Sequence, residues 1–159
     1  MSYFKTYYTM KKIIILFVVL ITTFGVAFGQ PDPIKVRRAL ETYEHKEDSL
    51  ASIFVESRNL VQTCFHNFTD LQRTYLNKRF VAAIANAGAV IYELSNESSE
   101  AKKQYAYSEK CRVQAEAFRK QKRILFTPTE DAYITLWCDL MAYHDITTNL
   151  RLLLEDESP

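Results

Sequence analysis

Glu47, His144 and Tyr107 are the residues whose types and placement suit chemistry best. A carboxylate beside an imidazole makes an acid–base pair, or the polar end of a small ligand site, and a phenol adds a donor. If helices pair about two turns, Glu47 lies 20 residues before position 67 and His144 lies 18 after position 126. The two then share a level, and Tyr107, Ser108 and Asn86 fall close to it. Both Glu47 and His144 sit on the apolar stripe of their own segment. The spacing therefore predicts a buried polar layer of Glu47, His144 and Tyr107. Such a layer either binds a small molecule or is a satisfied hydrogen-bond network that fixes the register of the helices.

Other site chemistries lack their residues. There is no HExxH, no GxSxG and no glycine-rich phosphate loop. The paired Glu-x-x-His motifs of di-iron bundles are absent too, so no metal, cofactor or catalytic set is expected. Cys64, Cys111 and Cys138 form no CxxC, and an odd count leaves at least one thiol free or paired between molecules. Cys111 falls on a core stripe, where a small apolar residue is expected. Cys138 falls on the back of its helix, so a bridge between the two is not expected.

The elements that must position these groups are helices. Between Pro33 and Pro128 the chain has no proline, and Gly88 is the one glycine in that stretch. Sheets and tight turns need both residue types. Apolar residues recur at helical spacing, as in Val36, Leu40, Tyr43, Leu50, Phe54, Val61 and Phe65. Asp32-Pro33 caps a first helix, and Thr69-Asp70-Leu71-Gln72 and Thr127-Pro128-Thr129-Glu130 are capping boxes. The predicted spans are 33–65, 69–94, 97–124 and 128–154. Short loops between helices of similar length predict an all-α, up-down four-helix bundle following an N-terminal signal peptide.

The leader is read from residues 1–29. Lys11 and Lys12 precede the apolar run IIILFVVLI, and Ala27-Phe28-Gly29 puts small residues at the exit. These are the three parts of a cleavable secretory signal; a retained membrane anchor is the alternative, with a shorter apolar core than a span needs. Met10-Lys11-Lys12 would open a compact leader by itself, so translation from Met10 is also considered. Cleavage leaves residues 30–159 as one helical domain beginning at Gln30, in a periplasmic or secreted location, with no membrane span retained.

Three of the 20 basic residues leave with the leader and none of the 19 acidic ones, so the remainder carries 17 against 19, a net charge of −2. That balance offers no general attraction for nucleic acid. The third helix is locally basic through Lys102, Lys103, Arg119, Lys120, Lys122 and Arg123, which suits a solvated face whose cations complement the helix dipole.

Two helices hold more apolar surface than one stripe requires. Ala82, Ala85 and Ala89 lie opposite Phe80, Ile84 and Ile91, and a row of small residues lets another helix approach closely. Ile134, Met141 and Leu152, with Cys138, form a second stripe on the last helix. These back faces predict a homo-oligomer or protein-partner interface, unless the bundle packs irregularly and buries both. The function expected is an exported interaction module: a subunit, adaptor or assembly factor. A small-molecule-binding or sensor bundle using the Glu47 layer is the alternative.

Overall fold

A computed structural model describes residues 31–155; the signal-peptide reading lies outside them. The described chain is four helices: α1 (Pro33–His66), α2 (Asp70–Leu94), α3 (Ser98–Gln121) and α4 (Pro128–Glu155). No strand occurs among the described residues.

The helix starts follow from their caps. Asp32 accepts from the Ile34 amide at 3.0 Å, with Pro33 in the first turn, where no donor is needed. Thr69 and Gln72 close a reciprocal box: Gln72 N donates to Thr69 Oγ1 and Thr69 N to Gln72 Oε1. Thr127 and Glu130 do the same at the head of α4. Each box satisfies amides that the helix cannot pair internally. The α3 start is weaker, because Glu97 makes no side-chain cap.

The end of α3 comes earlier than the sequence predicts. Helical geometry stops at Gln121, and Arg123 takes a left-handed conformation with φ 52°. That turn tucks Ile124 into the core at 7 % exposure and sends Phe126 onto Tyr75, with ring centroids 5.2 Å apart. Burial of the isoleucine and partial burial of the phenylalanine outweigh one further turn of a lysine-rich helix.

Consecutive helices run antiparallel, but they do not pack in chain order. Backbone contact runs α1 on α4, α4 on α2, and α2 on α3; α1 meets α2 sparingly, and no backbone contact joins α1 to α3 or α3 to α4. The centre holds two apolar clusters. One joins Phe68, Tyr75, Ala115, Ile134 and Cys138 near the α3–α4 turn. The other joins Val36, Ala87, Ala142, Ile146 and Leu150 toward the opposite end.

Candidate functional site

The α1–α4 contact is antiparallel and graded along its length. Toward one end it is aromatic, where Trp137 meets Phe54 at 5.7 Å and Phe65 at 6.4 Å between centroids. Toward the other it is polar. There His144 Nδ1 lies 2.7 Å from Glu47 Oε1, and the Thr147 hydroxyl donates to Glu47 Oε2 at 2.5 Å. A ring nitrogen facing a carboxylate must carry the proton, so His144 Nδ1 is the donor. One turn further on, Arg151 donates through Nε and Nη2 to Glu44 Oε1 at 3.1 and 2.8 Å.

Burial separates the roles within this cluster. The Thr147 residue is fully buried, the Glu47 side chain is 18 % exposed and the His144 side chain 59 %. Burial alone would raise the Glu47 carboxyl. The hydrogen bonds from Thr147 and His144, with the positive charges of His144 and Arg151, outweigh it and hold the group below the usual carboxylate range. Both carboxylate oxygens are engaged by the protein itself. The cluster is therefore a clip that fixes α1 on α4: a one-turn slip of α1 would take the carboxylate from the buried Thr147 hydroxyl and leave it only the His144 carbonyl, 3.1 Å away in its own helix.

Tyr107, the third predicted member, does not join it. It lies on α3, which makes no backbone contact with α1, and is 49 % exposed. Depth counting sets a residue's level along a bundle but not which neighbour its helix touches. Thr147 takes the place expected of the tyrosine. Among the described residues no group of three or more His, Cys, Asp or Glu is placed to hold a metal ion.

The predicted interface residues are mostly core. Ala82, Ala85 and Ala89 are buried at 6, 9 and 0 % exposure, as is Ile134 at 1 %. At about 100° per residue the alanine row lies opposite Ala83 and Ala87, which face α4, so it faces α3. Ala101, Cys111 and Ala115 answer it there as small buried residues, and the Ser108 hydroxyl donates to the Ala82 carbonyl at 2.8 Å. The close approach predicted for a partner helix is made by α3 of the same chain. Ile134 and Cys138 pack against Tyr75 and Ala115, Met141 is half-buried, and Leu152 stays exposed at 47 %. Burial pushes the Cys138 thiol up to about 12, and all three cysteines are free.

A second polar cluster went unseen in the sequence. Tyr75 is fully buried, donates to Glu116 Oε1 at 2.7 Å and accepts from Arg79 Nη1 at 3.0 Å. Arg119 stands over the Phe126 and Tyr75 rings and grips Asp131 at 3.0 and 2.9 Å. These bonds tie α2 to α3, and α3 to α4, at the turn where the backbones part.

The surface that is left open lies on α1. Of its 34 residues only Val36 and Val61 are buried. Ile53 and Leu60, seven apart on one flank, are 50 and 62 % exposed. Half-buried Leu50, Ser57 and Cys64 complete a seam with them at alternating three- and four-residue spacing. Charge is distributed unevenly along the same helix. Residues 35–48 carry Lys35, Arg37, Arg38, Glu41, Glu44, Lys46, Glu47 and Asp48, whereas 49–66 carry only Glu56 and Arg58. That depletion was legible in the sequence and is the signal that would have pointed to this flank.

Comparison with known protein families, characterised proteins and solved structures finds no match for the chain.

Proposed function

We propose that the chain is an exported helical interaction module that associates through the flank of α1 carrying Ile53 and Leu60. The observation that carries the reading is the exposed, charge-poor half of α1, residues 49–66, on a helix whose other half is densely charged. A solvated helix face gains nothing from losing its charges, whereas depletion of charge around apolar anchors is a mark of contact surfaces.

The surface is self-complementary. An antiparallel two-fold pairing centred between Glu56 and Ser57 sets Ile53 of one copy opposite Leu60 of the other. Eighteen helical residues span about 27 Å, a strip that suits a modest association between two copies. The Glu47–His144–Thr147 clip supports the reading indirectly, because it holds α1 in one register on α4 and so keeps the seam in place.

Export rests on the basic, apolar and small-residue succession of residues 11–29, and it places the module in the periplasm or outside the cell. Fractionation with N-terminal sequencing tests this half: the exported form should begin at Gln30, and an intact leader in the cytosol would contradict it. Light scattering tests the other half: association is expected, and should be lost in Ile53→Glu with Leu60→Glu.

The small-molecule alternative loses its support at the Glu47 layer, where both carboxylate oxygens are taken by Thr147 and His144.

A further inference from the structure

A groove of about 440 Å³ opens at the end of the molecule where α1 begins, α2 ends and α3 begins. Ala39, Val90 and Leu94 give it an apolar wall, and Tyr43 and Tyr105 an aromatic one. Its volume falls in the range of small-molecule sites.

Two opposite charges face this space. Lys35 and Glu93 both line the groove, yet they form no ion pair with each other. Among the described residues neither has another ion-pair partner. Glu93 is held in place by one neutral donor, the Tyr105 hydroxyl, at 2.8 Å to Oε2. Burial and this bond push the Tyr105 phenol to about 12, so it stays a donor at neutral pH. Asn96, with φ 61°, bends the chain at the groove's end.

We propose that the groove binds a small zwitterion with an apolar or aromatic side chain, of the kind a free amino acid or a dipeptide supplies. Its ammonium meets Glu93 beside the tyrosine rings, whose faces favour a cation. Its carboxylate meets Lys35, and its side chain covers Val90 and Leu94. Lys46 shows the local preference of these rings for an ammonium: its Nζ lies 5.0 Å from the Tyr43 centroid and 5.6 Å from that of Tyr143. A bare organic cation would be repelled by Lys35, and a bare anion by Glu93; only a ligand with both charges satisfies both.

The test is titration of the ¹⁵N-labelled protein, recovered from expression of the full chain, with phenylalanine and with glycyl-phenylalanine. N-acetylphenylalanine and phenylalaninamide serve as blocked controls, each lacking one charge. Saturable amide shifts are expected at positions 90–96 and 35–43 with at least one zwitterion, and the one that binds tells amino acid from dipeptide. Each blocked form should bind about three- to fivefold more weakly, the upper part of the range for one exposed charge contact. Glu93→Gln and Lys35→Gln, both at exposed positions and checked by circular dichroism, should each weaken the zwitterion to a similar degree. No saturable shift with either zwitterion would overturn the proposal, and so would equal affinity for the blocked forms or unaltered affinity in both variants.

Discussion

Glu47 and His144 stand 97 residues apart in the chain and 2.7 Å apart in space, and the fully buried Thr147 hydroxyl shares the same carboxylate. The pairing tells which of the three groups holds the fold. Glu47→Ala should cost about 1–2 kcal/mol, because the buried Thr147 hydroxyl loses its charged acceptor and keeps only the His144 carbonyl, 3.1 Å away within α4. His144→Ala should cost under about 1 kcal/mol, since the imidazole is largely solvated and the carboxylate keeps Thr147. Urea unfolding of the two variants measures both, and a larger loss for His144→Ala would refute this division of roles.

The same carboxyl gives the stability a pH dependence of definite sign. Its native pKa lies below the ordinary value of 4.5. Its ionised form therefore stabilises the fold above that value, and the contribution fades as pH falls through the lower native one. The stability gap between the unaltered chain and Glu47→Gln should narrow as pH falls below 4.5. A gap that widens as pH falls below 4.5 would contradict the depressed carboxyl.

Along α2, two small residues should respond oppositely to enlargement. A methyl group at Gly88 would meet nothing within 4 Å, and the backbone there is not in the left-handed region. Gly88→Ala should raise stability by about 0.5–1 kcal/mol through helix propensity. Ala85→Leu, facing α3, should cost about 1–3 kcal/mol by prying that seam apart. Thermal melts of the pair separate an α2–α3 seam from an open face, where both substitutions would be mild.

At the other polar cluster, Tyr75→Phe removes one hydroxyl from between Glu116 and Arg79. The two charges remain 3.4 Å apart and partly solvated, so the loss should be only about 1 kcal/mol. Tyr75→Ala opens the core beneath Phe126 and should cost about 3–5 kcal/mol. Equal losses would mean that the ring contributes nothing beyond its hydroxyl.

These contrasts mark what was legible beforehand. Helix starts were, because Asp32, Thr69-Gln72 and Thr127-Glu130 are local signals that need no knowledge of the rest of the fold. The level of Glu47 and His144 was legible too, since it follows from rise per residue once the turns are placed. Neighbour identity was not. The alanine row of α2 reads the same whether a partner's helix or α3 covers it, and depth alone puts Tyr107 in the layer. Arg123 shows a third kind of loss: its left-handed turn is driven by the burial of Ile124 and the packing of Phe126 on Tyr75, a tertiary gain invisible to capping rules.

Association through α1 is tested most directly by light scattering at about 0.1 mM, where even a modest interface is populated. The processed chain should run at twice the monomer mass, and Ile53→Glu with Leu60→Glu should return it to monomer with its helical signal intact. A monomer before substitution, or a dimer indifferent to both charges, would contradict it.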